Sequence, residues 1–339
     1  MISDNETANL RALITGYEVA QCVYAAAKLG VADALGDGPR PVSELAEALR
    51  ADAGALGRLM RGLASLGVVV EHDGKAFALT PLGERLRSNV PGSLRSFALL
   101  AGERSYRAWG ALAYSVATGK TAFEHVYGAT TFEYMTAHPE LAAIYDQAMS
   151  ASATLLVRTV LATVDFSRFQ AVVDVGGGVG DLLAAVVSAH GHTRGVLLDR
   201  APVIEHARER FRTAGLESRC GLVAGDFFHS VPSGGDAYVL SHVLHNWDDE
   251  RSEMVLRACR AAMLAPATLL IVEKIMPDVF DASAATQRVT MADLHMLVIT
   301  GGLERKHSEY ERLLGAAGFR ITRVITTETA ESVIEARPV

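Results

Sequence analysis

Cysteine is scarce in this chain, with three among 339 residues. Cys22, Cys220 and Cys259 are far apart and form no C-x-x-C pair. A disulfide framework needs more cysteines, and a zinc cluster needs them at close spacing. The scarcity of cysteine therefore argues against disulfide bonds and against a zinc cluster, and it predicts a protein of the reducing cytoplasm.

Long apolar runs and an excess of positive charge are also lacking. No uninterrupted apolar stretch approaches the ~18 residues of a membrane-spanning helix. The start, MISDNETANLR, has two acids before its first arginine and no apolar centre, which is not the pattern of a signal peptide. The formal net charge is −7, so no general affinity for nucleic acid or for an anionic membrane is expected.

The pattern of apolar and polar residues changes near residue 165. Before it, nearly everything has helical periodicity, except a hairpin pattern around His72-Asp73-Gly74. Helix, helix and hairpin in succession are typical of a winged helix. We predict a helical winged-helix domain over residues 1–103, a helical linker contributing to an acceptor pocket over 104–164, and a cofactor-binding domain over 165–339.

A winged helix raises the possibility of DNA binding. Residues 40–90 contain seven lysines and arginines against six acids, a net of +1 that suits a phosphate backbone poorly. Packing between two chains is the better interpretation of this domain.

From residue 170 onward, short apolar runs alternate with helical stretches. This alternation predicts an α/β domain with a mostly parallel sheet covered on both faces. The candidate strands are Ala171–Val175, Gly195–Leu198, Cys220–Ala224, Ala237–Ser241, Thr268–Glu273 and Ile321–Ile325.

The segment VVDVGGGVG, residues 172–180, is the most informative stretch. An apolar run carrying Asp174 ends in Gly176, Gly177 and Gly178, which allow a sharp turn and a close approach to a ligand. Asp199 ends the next apolar run and supplies an acceptor for ribose hydroxyls. The glycine spacing departs from the dinucleotide fingerprint, and an acid stands where its third glycine belongs. These features favour a cationic nucleoside, S-adenosylmethionine, over NAD.

Chemistry-bearing residues follow the later strands. Gly225, Asp226 and Phe227 come after the third strand, where an acid and an aromatic ring can hold adenine. After Ser241, the fourth strand leads to His242 and His245, which compete for the role of a base that titrates near pH 7. Position near the strand end does not decide between them.

Two acids could orient such a histidine. Glu273 ends the fifth strand, and Glu304 lies in the loop TGGLER. Strand-end solvation, or a pair between Glu304 and Arg305, remains the alternative. No Asp, Glu or His cluster has convincing metal spacing, so we expect no metal. Asp293 and Met296 lie on a helix that could line an acceptor pocket, as could the aromatic residues of 104–165, which include Trp109 and Tyr145.

Taken in order, these motifs resemble the caffeate/isoflavone-type O-methyltransferases that use S-adenosylmethionine, and more narrowly bacterial members acting on aromatic natural products. The resemblance covers nearly the whole chain. It is carried by VVDVGGGVG, LLDRAPVI, GDFF, SHVLHNWDDE, VEKIMP, DLHMLV, TGGLER and AAGF.

The resemblance implies a Rossmann-like methyltransferase domain preceded by a winged-helix dimerisation domain, hence a homodimer. It also implies that His245 is the base, that Glu273 and Glu304 position it, and that Met149 contacts the acceptor. We expect Arg200 and Ser241 among the cofactor residues and Asn246 among the acceptor residues. All three depart from the plant pattern, so plant phenylpropanoid substrates are not expected.

The expected reaction is methyl transfer from S-adenosylmethionine to a hydroxyl of an aromatic or polyketide-type small molecule. One alternative is a fold relative that uses the same cofactor in hydroxylation or decarboxylation. A winged-helix DNA-binding regulator is the other.

Overall fold

The computed structural model describes residues 4–339. The first three residues, part of the segment for which no signal peptide is predicted, lie outside the described residues. The chain forms two compact units. One comprises Met1–Arg107 and Pro139–Ser152, and the other comprises Ala108–His138 and Ala153–Val339.

The first unit is mainly helical and contains a small antiparallel sheet of order β1-β3-β2. Strands β2 and β3 pair from Val69↔Leu79 to His72↔Ala76, which confirms the predicted hairpin. The core is formed by fully buried apolar side chains such as Leu45, Met60 and Phe77. The elements in chain order are α1 (Asp4–Ile14), α2 (Gly16–Leu29), α3 (Val31–Leu35), β1 (Arg40–Pro41), α4 (Val42–Leu49), α5 (Ala53–Ser65), β2 (Val69–His72), β3 (Ala76–Leu79), α6 (Arg95–Leu99), a π-helical turn (Leu100–Ser105) and α7 (Tyr106–Trp109), which crosses into the second unit.

Three short helices open the second unit, and a long one connects the two units. Thr121 and Thr130 each accept a hydrogen bond from the backbone amide three residues later, which satisfies a free donor of the first helical turn. The helices are α8 (Leu112–Thr118), α9 (Ala122–Tyr127), α10 (Thr131–Ala137) and α11 (Pro139–Thr163), whose first part belongs to the first unit.

The rest of the second unit is a doubly wound sheet with the order β10-β11-β8-β7-β4-β5-β6. The neighbours from β6 to β8 run parallel, which confirms the predicted fold class. Helices separate the strands along the chain. The elements are β4 (Ala171–Val175), α12 (Asp181–Ala189), β5 (Arg194–Asp199), α13 (Ala201–Thr213), β6 (Cys220–Ala224), β7 (Ala237–Ser241), α14 (Asp249–Ala262), β8 (Thr268–Met276), α15 (Ala284–Ile299), β9 (Arg305–Lys306), α16 (His307–Ala316), β10 (Phe319–Thr326) and β11 (Glu331–Pro338).

Apolar cores cover both faces of this sheet. Side chains of β4 alternate between them, because Val172 packs in one core and Val173 in the other. The strand order reverses between β4 and β7, and the carboxyl ends of the strands at such a reversal are where doubly wound folds bind ligands.

The end of the chain differs from the sequence prediction. Residues 331–338 form β11, a strand that the sequence pattern did not predict. It lies between β8 and β10 and runs antiparallel to both. Its pattern is less clear than that of the parallel strands, because the polar residues Ser332 and Glu335 interrupt the apolar run and are themselves buried. Among the elements of residues 4–339, none is a helix with the length and apolar character needed to cross a membrane.

One close backbone approach constrains the loop before β9. A Cβ added to Gly302 would lie 2.0 Å from the carbonyl oxygen of His245 and 2.6 Å from the backbone nitrogen of Trp247. These are backbone atoms of a buried turn, so they have little freedom to move aside. Packing therefore requires glycine at residue 302. Backbone conformation does not, because the φ of Gly302 lies outside the left-handed region.

We predict that Gly302→Ala lowers the free energy of unfolding by about 1–3 kcal/mol through overpacking. Gly315→Ala is the matched control, because a Cβ at this helical residue meets nothing within 4 Å. It should raise stability by about 0.5–1 kcal/mol. Urea denaturation of the two variants measures both values. Equal stability of the two variants would contradict the proposed constraint.

Candidate active site

The glycine loop after β4 is held tightly against its neighbours. Gly176 and Gly178 have φ of 70° and 62°, a region that favours glycine. The Gly176 amide donates to the Leu198 carbonyl of β5 at 2.8 Å. A Cβ at Gly177 would lie 2.4 Å from the carboxylate of Asp174. The glycines thus allow this loop to fold back over an acidic side chain.

Asp174 is the most isolated acid of the site. It is 1% exposed, and neither carboxylate oxygen accepts a well-aligned hydrogen bond from the described residues. Burial raises its pKa to about 7, with Asp199 adding to the increase and the nearby Leu183 amide opposing it. An unsatisfied buried carboxylate of this kind is stabilised by a cationic ligand.

Two further acids lie at the ends of β5 and β6. Asp199 accepts hydrogen bonds from the backbone amides of Gly178, at 2.8 Å, and Arg200, at 2.7 Å, so its carboxylate is fixed beside the glycine loop. Asp226 follows Gly225 and accepts from the Phe228 amide at 2.9 Å. The ring of Phe227 reaches within 3.1 Å of the Cβ position of Gly176. The structure therefore brings the predicted cofactor residues of three strands to one edge.

A buried histidine lies between two buried glutamates after β7. His245 is on a short 3₁₀ turn, Leu244–Asn246. Its Nδ1 is 3.2 Å from Oε1 of Glu304 and 3.3 Å from Oε2 of Glu273. Both glutamate side chains are fully buried. Oε1 of Glu273 also accepts hydrogen bonds from the backbone amides of Leu244 and His245, at 2.9 and 3.3 Å.

The electrostatics of this triad favour an imidazolium between two carboxylates. Burial is the largest influence on the pKa of His245 and lowers it, but Glu273 and Glu304 outweigh burial and raise the pKa above its ordinary value. The pKa of Glu304 is correspondingly lowered, although burial alone would raise it. Nδ1 faces the carboxylates, so Nε2 is the nitrogen left for a reacting group.

Arg305 holds the turn that carries His245. It is fully buried and donates to the carbonyls of Leu244 and Trp247, at 3.0 and 2.8 Å, and to Asp249 at 2.9 Å. The alternative that Glu304 pairs with Arg305 is wrong, because Glu304 pairs with His245. The guanidinium has five N–H donors in one plane, so it can bond two carbonyls and a carboxylate at the same time.

The same triad has the geometry of a metal site. Among the described residues, the ligand atoms of His245, Glu273 and Glu304 lie within 4.8 Å of one another. Sequence spacing did not suggest this, because the three residues come from separate elements. An ion bound there would replace the contact between Nδ1 and the carboxylates, so metal binding and an imidazolium are mutually exclusive at this site.

Several predicted acceptor residues are close to the triad or on one helix. Asp293 accepts from the backbone amide of Glu304 at 2.9 Å, and Nδ2 of Asn246 donates to the His242 carbonyl at 3.0 Å. Trp109 donates through Nε1 to Nδ1 of His295 on α15 at 3.0 Å, one residue before the half-buried Met296.

Others lie elsewhere. Ser241 is the half-buried last residue of β7. Arg200 donates to the Phe132 carbonyl at 3.2 Å and lies over its ring, 5.0 Å from the centroid. Tyr145 and Met149 lie on the part of α11 that belongs to the first unit, where the guanidinium of Arg104 is 5.5 Å from the Tyr145 ring centroid.

Sequence reasoning missed an aromatic group beside the cofactor residues. Trp247 stacks on Phe132, with ring centroids 5.5 Å apart, and meets Phe228 edge-on at 4.8 Å. Phe228 in turn packs against Phe227 at 4.9 Å. Phe132 is more than 100 residues from Trp247 in sequence, and no periodic pattern connects them.

Comparisons with known proteins agree with this architecture. Residues 12–89 match the family model of the O-methyltransferase dimerisation domain, and residues 109–320 match that of the O-methyltransferase domain. A phenazine O-methyltransferase of Lysobacter antibioticus is 43% identical over 327 residues, covering 96% of this chain and 95% of the relative.

Two solved structures have the same fold. The crystal structure of LaPhzM superposes with a TM-score of 0.94 at 42% identity, covering 98% of this chain and 99% of that one. An O-methyltransferase from neocarzinostatin biosynthesis was solved with S-adenosylmethionine and 2-hydroxy-5-methyl naphthoic acid. It has a TM-score of 0.82 at 33% identity, covering 94% of this chain and 96% of that one. The chain therefore belongs to the O-methyltransferase family that uses S-adenosylmethionine, with an O-methyltransferase dimerisation domain before its methyltransferase domain.

Proposed function

We propose that this enzyme methylates a hydroxyl group of a small aromatic molecule and that His245 is the general base. The observation that carries the proposal is the buried imidazole held between Glu273 and Glu304, next to a glycine loop and two fixed acids. A phenol is a weak nucleophile until it loses its proton, and an imidazole at hydrogen-bond distance can accept that proton.

The cofactor residues that we propose fit S-adenosylmethionine chemically. Asp199 would accept the ribose hydroxyls, and Asp226 with Phe227 would hold the adenine. Asp174, buried without a well-aligned donor among the described residues, suits the positively charged end of the cofactor. Gly178 has open space where a Cβ would lie, whereas Gly176, Gly177 and Gly225 let the backbone pack closely against neighbouring side chains. Ser241 lies at the neighbouring strand end, and we propose all five as cofactor residues.

When bound, the cofactor supplies a sulfonium methyl group that a nucleophile can displace. In such a displacement His245 Nε2 would accept the hydroxyl proton of the acceptor, which leaves the acceptor oxygen as the nucleophile. Glu273 and Glu304 stabilise the imidazolium that results and keep its ring in place. Alignment in a dry pocket contributes the rest of the acceleration.

We propose that Trp109, Asn246, Asp293 and Met296 contact the acceptor, whereas a contact from Tyr145 or Met149 stays a prediction. Aromatic and thioether side chains suit the flat face of an aromatic ring. The support is the placement of Trp109 against α15 and of Asn246 and Asp293 beside the triad. Arg200, by contrast, holds α10 through Phe132, and we propose that it supports the cofactor site from there.

We predict that His245→Ala reduces kcat at least ~10²-fold, because proton removal is lost, while the affinity for S-adenosylmethionine stays within about twofold. Calorimetry gives the affinity. Mass spectrometry gives the turnover, with the best acceptor from a panel of hydroxybenzoates, hydroxynaphthoates and hydroxyphenazines. His307→Ala removes a half-exposed histidine of the same unit and should leave turnover unchanged.

The same assay separates the other chemistries. A product that has gained oxygen or lost carbon dioxide would contradict methyl transfer, and preferred turnover of an arylamine probe would contradict a hydroxyl acceptor. Turnover of His245→Ala within tenfold of the wild type would remove the base assignment. Each assay is repeated in EDTA, since a loss of activity that zinc restores would replace proton transfer by a metal mechanism at this triad.

The pKa of Asp174 predicts a pH dependence of cofactor binding. Its pKa is about 7 in the free protein, so the carboxylate ionises as pH rises through 7 and only then attracts a cation. The affinity for S-adenosylmethionine should therefore rise between pH 6 and pH 8. In Asp174→Asn this rise should be absent. Calorimetry at several pH values measures the affinity of both proteins for S-adenosylmethionine. Ionisation of the ligand affects both proteins equally, so the difference between their affinities reports Asp174. Identical pH profiles of affinity in the wild type and Asp174→Asn would contradict a role of Asp174 in cofactor binding.

We also propose that the enzyme is a homodimer, which the dimerisation-domain match supports. Residues 5–20 are all exposed in the single chain, and they include Leu10, Leu13, Ile14 and Tyr17. An apolar helical face left open in this way is buried readily by a second copy. A cytoplasmic location, favoured by the three separated cysteines, stays a prediction.

We predict that the wild type sediments with twice the mass of one chain and that Leu13→Glu shifts it toward the monomer. A buried carboxylate without a partner is costly at an apolar interface. Leu264→Glu is the control, because Leu264 is equally exposed, at 76% against 73%, but lies after α14 in the second unit. Analytical ultracentrifugation of the three proteins decides the point, and a monomeric wild type would refute it.

A further inference from the structure

A second set of charged side chains lies behind the catalytic triad. Lys274 follows Glu273 directly on β8, and Glu331 begins β11. The two strands pair antiparallel with Glu331 opposite Lys274 and Ser332 opposite Glu273. The register of a strand that the sequence pattern did not predict therefore places a carboxylate next to a lysine at the edge of the site.

The distances connect this set to the triad. Nζ of Lys274 is 3.2 Å from Oε1 of Glu331 and 4.0 Å from Oε1 of Glu304. The side chains of Lys274 and Glu331 are only 19% and 12% exposed. At this burial, solvent screens their charges less than at the surface. Lys274 thus bridges the triad carboxylate and a carboxylate outside the triad.

His242 completes the set from the other side. Its Nε2 is 3.4 Å from Oε1 of Glu331, and its ring stacks on that of His245 with centroids 5.2 Å apart and planes 10° apart. The residue has a φ of 54°, a strained conformation for a side chain with a Cβ. Two hydrogen bonds maintain it: its amide donates to the Val272 carbonyl, and its own carbonyl accepts from Asn246.

The charged groups around His245 affect how readily its imidazole accepts a proton. The groups that face His245 are Glu273 and Lys274 from β8, His242 from the same turn and Glu304 from the loop before β9. Around them lie Asp293 of α15, Arg305 of β9 and Tyr310 of α16. Glu273 and Glu304 stabilise the protonated imidazole, which opposes its action as a proton acceptor. Lys274 acts in the opposite direction on the pKa of His245 and, with His245 itself, helps to lower that of Glu304.

We propose that Lys274, held by Glu331, is a positioning residue for the base: its ammonium group shares the Glu304 carboxylate with His245 and so limits how strongly that carboxylate holds a proton on the imidazole. This role rests on the proposed function of His245 as the base. Glu331 is required because a lysine side chain is long and flexible, and the cross-strand carboxylate fixes its ammonium group beside Glu304.

The test measures how kcat and the NMR signal of His245 depend on pH in Lys274→Gln and Lys274→Met. Removal of the positive charge should raise the pKa of His245, so the acidic limb of the kcat profile should move to higher pH by at least about half a unit. Lys274→Arg should restore the wild-type profile, because it keeps the charge. Lys120→Gln, which removes an exposed lysine of the same unit, should leave the profile unchanged.

NMR titration of histidine-labelled protein without ligands gives the second quantity, with the His245 signal assigned by its absence in His245→Gln. The signal should titrate at higher pH in both neutral variants of Lys274. An unmoved titration midpoint in folded protein, checked by circular dichroism, would overturn the proposal. If His245→Ala retains turnover, the base assignment fails, whereas an inactive His245→Ala with unmoved midpoints in the Lys274 variants refutes only the role of Lys274.

Discussion

The edge of the sheet that we propose as the active site depends on two glutamates that are fully buried beside one imidazole. A buried carboxylate is stable only when it is paired and hydrogen-bonded. Glu273 meets this requirement with two backbone amides of the turn that carries His245, and Glu304 meets it with the imidazole. The pairing that stabilises the acids therefore also fixes the position and charge of the histidine.

The surrounding structure maintains that pairing. Arg305 ties the turn to the start of α14 through carbonyls and Asp249, and Gly302 lets the loop with Glu304 approach the turn to van der Waals distance. The parallel sheet then brings the glycine loop after β4 and the acids after β5 and β6 to the same edge. The proposed cofactor residues and the triad lie at one edge because the carboxyl ends of parallel strands share one side of the sheet.

Much of this could be predicted from local pattern. Strands β4, β6 and β7 have the predicted bounds, since buried parallel strands are short apolar runs flanked by turns. The glycine loop and Asp199 are visible as spacing in sequence. The choice between His242 and His245 needed family resemblance, and the structure shows why spacing could not make it. Both rings lie at the same strand end, stacked on each other, and they differ in which carboxylates they face.

The sequence by itself determined the fold class and the type of cofactor, because these follow from local periodicity and from residue types at strand ends. Tertiary structure alone decided which charges meet. Glu304 pairs with His245 and not with its neighbour Arg305, Phe132 reaches Trp247 across more than 100 residues, and β11 places Glu331 opposite Lys274. Those contacts join residues far apart in the chain, and only the packing of the whole domain sets the distances between them.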